Sequence, residues 1–157
     1  MKSSRKNGET EMSEVQRAVA VFKEGYSCSQ AILSTYGTQL GLEREFALKI
    51  ASTFGVGMGR MGKTCGAVTG ALMVIGLKHG LVELADQNAK ETTYALVREF
   101  MKKFTARNGS VECKVLLGCD LSTSEGIRYA KEKNQVSTVC PKLVQQAAEI
   151  LEDLLFK

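Results

Sequence analysis

The chain has a single proline and no tryptophan. Its 157 residues include one histidine and only 6% aromatic residues, whereas glycine occurs fifteen times. Because proline interrupts helices, its scarcity allows long helices, and the glycines mark where those helices end. With so few aromatic side chains, the core must be built mainly from Leu, Val, Ile, Ala and Met.

A long apolar run is also missing. The longest nearly apolar stretch, residues 66–77, is well short of the roughly 20 residues that a membrane span requires. The N-terminus is basic and then acidic, without the apolar segment of a secretory signal. We therefore expect a cytoplasmic protein without membrane insertion. In that compartment structural disulfides are uncommon, and cysteine clusters more often bind metal or carry out redox chemistry.

Positive charge is not concentrated anywhere. The net charge is +4, and the lysines and arginines are spread along the chain. No basic stripe with interleaved aromatic residues is present, which argues against a nucleic-acid partner.

Apolar residues recur at helical spacing along most of the chain, and no alternating β-branched strand is visible. We expect an all-α fold, a bundle of about five to six helices forming one domain over residues 13–157, after a flexible tail over residues 1–12. The main predicted helices cover about residues 14–24, 27–41, 43–54, 64–80 and 84–107, with a short helix over 110–117. Ser27 and Gln30 form a capping-box pattern at the start of the second helix, Thr64 and Ser110 are predicted helix caps, and Asn108-Gly109 is a stop signal. Residues 122–135 are polar and give a weak helical signal, and Cys140-Pro141 is predicted to open the last helix.

Residues Gly57–Thr64 match the phosphate-loop pattern G-x-x-x-x-G-K-[ST]. That mechanism requires a strand before the loop and a parallel sheet behind it. The preceding residues 46–54 have helical spacing, and no further strands are available. Nucleotide binding is therefore a lesser alternative, and a weaker version is an anion or small ligand held at the helix start.

Glycines lie inside the predicted helix that follows this loop. Gly66, Gly70 and Gly76 each cost about 1 kcal/mol relative to alanine in a helix interior. Their presence predicts a close approach by another helix backbone or by a bound group. Gly66 and Gly70 are accordingly candidate cofactor-binding positions.

The five cysteines carry the strongest chemical signal. None are spaced Cys-x-x-Cys, which argues against a thioredoxin-type motif and a zinc ribbon made of two knuckles. Any single one would most simply be a small buried hydrophobe. However, four of them fall in the first turn of a predicted helix, and these are Cys28, Cys65, Cys113 and Cys140. Cys119 follows a predicted helix end and is left outside the candidate site.

A helix N-terminus favours thiolate over thiol, and thiolate is the form that attacks disulfides and binds metal. Because the four cysteines are far apart in sequence, a shared site would be assembled by tertiary folding. Such a site suits two disulfide/dithiol pairs, a tetrahedral metal ion or an iron–sulfur cluster. Arg60 and Lys63 could stabilise a thiolate at Cys65.

The sequence resembles a known family in several stretches. These are residues 25–31 (GYSCSQA), 54–59 (FGVGMG), 65–71 (CGAVTGA), 112–118 (ECKVLLG) and 140–144 (CPKLV). The chain resembles, from about residue 14 to its C-terminus, the redox-active protein family named for its cysteine pattern, C_GCAxxG_C_C. The resemblance implies a site at Cys28, Cys65, Cys113 and Cys140. It makes Cys119 an additional cysteine that could take the place of Cys113.

The family is called redox-active from its cysteines, and its genes are often found near transporter genes. The resemblance therefore implies an unidentified redox partner, either a protein or a small molecule. It specifies no substrate, and the sequence is compatible with a homodimer.

Two hypotheses use the same four cysteines. In the first they perform thiol/disulfide or electron-transfer chemistry, which requires no cofactor. In the second they are ligands of a metal ion or an iron–sulfur cluster. A third hypothesis is a helical interaction module whose cysteines only pack in the core. The colour and metal content of protein made without oxygen would separate the first two.

Overall fold

The computed structural model describes residues 10–157, so residues 1–9 of the predicted flexible tail lie outside the described part. The described chain is helical throughout, with no strand and a single antiparallel bridge between Thr64 and Glu112. The helices are α1 (Glu14–Lys23), α2 (Cys28–Gly37), a 3₁₀ turn (Thr38–Leu40), α3 (Arg44–Ser52), α4 (Gly66–His79), α5 (Gln87–Asn108), α6 (Cys113–Leu117), α7 (Ser124–Glu132) and α8 (Gln135–Leu155). The all-α prediction is confirmed.

Residues 10–157 contain eight α-helices, more than the five to six expected. The number is higher because short segments form separate helices. The short helix predicted over residues 110–117 is α6, which ends after five residues at Gly118, where φ is 69°. Helix α7 is polar, and its start is fixed by Thr123, whose side chain accepts a hydrogen bond from the Gly126 N–H group. Within the described residues, no helix is both long and apolar enough to cross a membrane.

The prediction that Cys140-Pro141 opens the last helix is wrong. Helix α8 begins at Gln135, so both residues lie in its interior. An interior proline has no N–H group to bond the carbonyl four residues earlier, here Ser137. Ser137 is solvent-exposed, so water can satisfy that carbonyl.

Helices α2 and α4 pack closely because of two glycines. A Cβ atom at Gly66 would lie 2.9 Å from the backbone nitrogen of Ser29, and one at Gly70 would lie 3.0 Å from the Ser29 carbonyl oxygen. Gly76, by contrast, has nothing within 4 Å of that position. The predicted approach of another helix backbone is therefore confirmed at Gly66 and Gly70 but not at Gly76.

The buried side chains form two clusters of unequal size. The large core lies among α1, α2, α3, α4, α5 and α8, and Tyr36, Phe100 and Phe104 are its largest fully buried side chains. The small core consists of five buried residues from α6, α7, α8 and the α6–α7 loop: Cys113, Leu117, Leu121, Ala130 and Cys140. The candidate site lies where these two cores meet.

Candidate thiol site

A small cavity brings the four predicted cysteines together. Its volume is about 60 Å³, and Cys28, Cys65, Cys113 and Cys140 all line it. Cys65 belongs to the large core, Cys113 and Cys140 belong to the small core, and Cys28 packs against both. Cys119 does not line the cavity. The cavity therefore marks the junction of the two cores.

A double cap fixes Cys28 as the first residue of α2. The Ser27 hydroxyl accepts a hydrogen bond from the Gln30 N–H group, and the Gln30 side chain accepts one from the Ser27 N–H group. The buried Ser29 hydroxyl donates to the Ala51 carbonyl at 2.8 Å and ties this turn to α3. The predicted capping box is confirmed.

Cys65 and Cys113 are brought together by backbone pairing. The Cys65 N–H group donates to the Val111 carbonyl at 2.7 Å, and the Cys113 N–H group donates to the Lys63 carbonyl at 2.6 Å. These bonds flank the bridge between Thr64 and Glu112. The pairing was not predicted, because a single bridge leaves no alternating pattern in the sequence.

At these two helix starts, the N-cap residues differ from the predicted ones. Cys65 itself is the N-cap of α4, rather than Thr64. Glu112 is the N-cap of α6, whereas the predicted cap, Ser110, instead accepts a hydrogen bond from the Glu112 N–H group. Three of the four cysteines thus lie at helix starts, and Cys140 does not.

The chain before Cys65 forms a left-handed turn. Five successive residues, 56–60, have φ angles between 53° and 67°. Gly57 is required there, because a Cβ atom would lie 2.7 Å from that of Cys113 and 2.5 Å from the Lys63 nitrogen. Val56, Met58 and Arg60 adopt the same conformation, although it costs a non-glycine residue roughly 1–2 kcal/mol.

The left-handed turn is not a phosphate loop. Within residues 10–157 there is no strand or sheet to support one. The N–H groups that would face a phosphate already have partners: Arg60 donates to the Gly55 carbonyl and Lys63 to the Gly57 carbonyl, at 3.0 and 2.9 Å. The match to the phosphate-loop pattern is therefore coincidental in this fold.

The thiols of Cys28 and Cys65 have opposite pKa shifts. The pKa of Cys28 is raised well above its ordinary value, first by its hydrogen bond with Cys140, then by that with Cys65 and by burial. The pKa of Cys65 is lowered, first by the hydrogen bond from Cys28, although burial opposes this. The nearby N–H groups of Ala67 and Val68 lower the pKa of Cys65 further. Neither N–H group makes a hydrogen bond of regular capping geometry with the sulfur. Of the two thiols, Cys65 is therefore the more readily deprotonated, and Cys28 donates the hydrogen bond that favours its thiolate.

The pKa of Cys113 is raised, although this residue lies at a helix start. Burial is the main cause and raises the pKa to about 12, and negative charge on neighbouring cysteines adds to the effect. The pKa of Cys119 is also raised, first by burial and then by the Asp120 charge. The pKa shift thus follows the direction expected of a helix start at Cys65 and opposes it at Cys28 and Cys113.

The predicted stabilising cations do not shift the pKa of Cys65. Lys63 is exposed and instead contributes to lowering the pKa of Asp120, after the hydrogen bonds from Ser122 and the charge of Lys114. Arg60 is exposed at the edge of a neighbouring groove. The thiolate is favoured by a neighbouring thiol and by backbone N–H groups.

Gly66 lines the cavity, whereas Gly70 lies one turn further along α4 against α2. Contact of either glycine with a cofactor stays a prediction. Across residues 10–157, no group of three or more His, Cys, Asp or Glu side chains is arranged so that it could hold a metal ion. Metal ligation by the four cysteines likewise stays a prediction.

Comparison with protein families gives one match. The family model described as "Putative redox-active protein (C_GCAxxG_C_C)" matches residues 26–154, which include all four cavity cysteines. Searches of curated proteins and of solved structures gave no match.

Proposed function

The chain belongs to the C_GCAxxG_C_C family, and on that premise we propose that it is a thiol–disulfide redox protein whose reactive pair is Cys65 and Cys28. The observation that carries the proposal is the shared cavity: Cys28, Cys65 and Cys140 all line a space of about 60 Å³, and Cys140 and Cys65 are the main causes of the raised pKa of Cys28. Sulfur atoms around so small a cavity need only small movements to form a disulfide.

The opposite pKa shifts support different roles for the two thiols. The Cys65 thiolate attacks one sulfur of a partner disulfide, whose S–S bond breaks, and the departing thiolate takes a proton from Cys28. The new Cys28 thiolate then attacks the Cys65 sulfur and forms the intramolecular disulfide. The second partner sulfur leaves and takes a proton from solvent. The partner has gained two electrons and two protons, and an external dithiol reductant restores the protein.

Cys140 provides an alternative partner for Cys28. Because the three cysteines line one small cavity, the disulfide can exchange from Cys28–Cys65 to Cys28–Cys140 within it. Cys113 lines the same cavity. In this proposal Cys28 is the sulfur that every productive disulfide contains.

Thiol counting tests the proposal in a Cys119→Ser background, which leaves only the four cavity thiols. Oxidised dithiothreitol should lower the free-thiol count by two, and reduced dithiothreitol should restore it. Cys28→Ser should abolish this change, whereas Cys65→Ser should leave slow oxidation through Cys140. An unchanged thiol count under oxidising conditions would contradict the proposal.

Metal analysis distinguishes this proposal from the metal-binding alternative. Protein purified without oxygen is expected to be colourless and metal-free. Stoichiometric iron with acid-labile sulfide, lost together with any one of the four cysteines, would replace the thiol–disulfide proposal with a cluster-binding function.

A further inference from the structure

An open groove lies directly against the cysteine cavity. Its volume is about 860 Å³, within the range of small-molecule sites. Phe22, Val56, Leu121 and Val136 line both the groove and the cavity. A single layer of four apolar side chains therefore separates the groove from the thiols.

The charges around the groove all have one sign. Lys23, Arg60 and Lys131 line it, and no Asp or Glu does. All three cations are exposed, and none forms an ion pair with another residue of the described chain. The remaining lining is apolar apart from Asn134 and Ser137. The complementary ligand is an anion with an apolar body.

The left-handed turn supplies two of these lining residues. Val56 and Arg60 stand at its ends, with φ angles of 53° and 65°. A β-branched residue is rarely found in this conformation. Strain of this kind tends to occur at functional sites, where it sets the direction of a side chain. Here it sets Val56 between groove and cavity and Arg60 at the groove edge.

We propose that this groove binds a low-molecular-weight disulfide that carries carboxylates, the substrate class of the neighbouring thiols. This inference rests on the proposed thiol–disulfide function. The cations hold the carboxylates, and movement of the shared apolar side chains admits the disulfide to the Cys65 thiolate. The exchange then proceeds as described above: the substrate becomes two thiols, a Cys28–Cys65 disulfide forms, and an external dithiol reductant restores it.

The test compares three aromatic or aliphatic disulfides of different charge. They are dithiobis(nitrobenzoate), which is a dianion, dipyridyl disulfide, which is neutral, and cystamine, which is a dication. Oxidation rates of the Cys119→Ser protein are divided by the rates with a free thiol, so that intrinsic reactivity cancels. The normalised rates should fall in the order dianion, neutral, dication, with the preference weakening as salt is raised.

The groove variant combines Lys23→Gln, Arg60→Gln and Lys131→Gln. If each exposed cation contributes about 0.5 kcal/mol, the normalised rate with the dianion should fall about ten-fold. The rate with the neutral disulfide should change less than about two-fold. Lys102→Gln, which removes an exposed cation that does not line the groove, is the matched control and should change neither rate.

A redox-inert ligand separates the two proposals. Biphenyl dicarboxylate, an aromatic dianion without sulfur, should bind the wild-type protein in calorimetry and bind the groove variant about ten-fold more weakly. Equal binding to both proteins, or no binding, overturns the groove inference whatever the thiols do. If the dicarboxylate binds as expected but no disulfide oxidises Cys28 or Cys65, the groove binds anions and the assignment of a disulfide substrate is overturned together with the thiol–disulfide function.

Discussion

The two cores of this protein differ in how they are built. The large core is formed by helices that bury apolar faces around Tyr36, Phe100 and Phe104. The small core has five buried residues, two of which are cysteines, and depends on the short helices α6 and α7. The left-handed turn runs past it and contacts Cys113. The large core is of the kind found in any helical bundle, whereas the small core contains two cysteines and borders a strained turn.

This difference suggests a division of roles. Most of the buried apolar side chains lie in the large core, which therefore supplies most of the stability. The small core can then include features that cost free energy, such as the strained turn. Cys28 and Cys65 lie on the boundary, where the stable part of the molecule fixes their positions. The following predictions test whether stability and thiol chemistry separate along this boundary.

The largest effect is expected from Phe104→Ala in the large core. Phe104 is fully buried, so its loss should lower the free energy of unfolding by about 3–5 kcal/mol, as measured by denaturant titration. The thiol oxidation rate of the protein that remains folded should be unchanged. Leu121→Ala in the small core should cost about 2 kcal/mol but accelerate oxidation, because Leu121 lines both groove and cavity. Equal oxidation rates in the two variants would contradict the separation.

Gly57→Ala should destabilise the small core. The added Cβ would overlap Lys63 and Cys113, and its φ of 67° would add strain, for a total of about 3 kcal/mol. Gly59→Ala is the matched control: its φ is 55°, but nothing lies within 4 Å, so about 1 kcal/mol is expected. Thermal unfolding of the two variants side by side measures the difference. Similar losses would mean that the contact with Cys113 is unimportant.

A second glycine pair tests the close packing of α4 against α2, the helices that carry Cys65 and Cys28 at their starts. Gly70→Ala would push α4 away from the Ser29 backbone and should cost about 1–2 kcal/mol. Gly76→Ala, in the same helix with open space around it, should instead stabilise the protein by up to about 1 kcal/mol. Chemical denaturation measures the change in the free energy of unfolding for each variant and shows whether it rises or falls. Destabilisation by both variants would show that helix α4 tolerates no added methyl group.

The smallest expected effect is spectroscopic. Because the pKa of Cys65 is lowered, thiolate ultraviolet absorbance should appear at a pH below that of an ordinary thiol and disappear as the pH falls through that pKa. Cys28→Ala removes the hydrogen-bond donor and should move the transition to higher pH. Cys113→Ser should leave it in place, since the pKa of Cys113 is raised to about 12. A transition that persists in Cys65→Ser would assign the thiolate to another residue.

The elements that could be predicted from the sequence are those with local signals. Ser27 and Gln30 specify the start of α2, and Asn108-Gly109 marks the end of α5, where Gly109 is left-handed. Gly66 and Gly70 predicted the close packing of α4, because a glycine in a helix interior costs free energy that a close approach can offset. Gly76 gives the same signal in the sequence but has no such neighbour. Helix spacing was sufficient for the fold class.

Other features depend on tertiary contacts and left no such signal. Pro141 predicts a helix start, but it lies inside α8, whose exposed first turns tolerate a proline. The apolar residues of α3 were visible, but Phe46 and Ile50 are about half exposed and the helix buries Ala47 and Ala51 instead. The bridge between Thr64 and Glu112, which brings Cys65 near Cys113, joins segments far apart in the chain.

The most direct test of the central claim is to map the disulfide in oxidised protein. Wild-type protein is oxidised with oxidised dithiothreitol, its remaining thiols are alkylated, and the linked peptides are identified by mass spectrometry. The account predicts that Cys28 is joined to Cys65 or to Cys140, while Cys119 is alkylated. Oxidised protein in which Cys28 remains a free thiol, or in which Cys119 forms the principal disulfide, would contradict it.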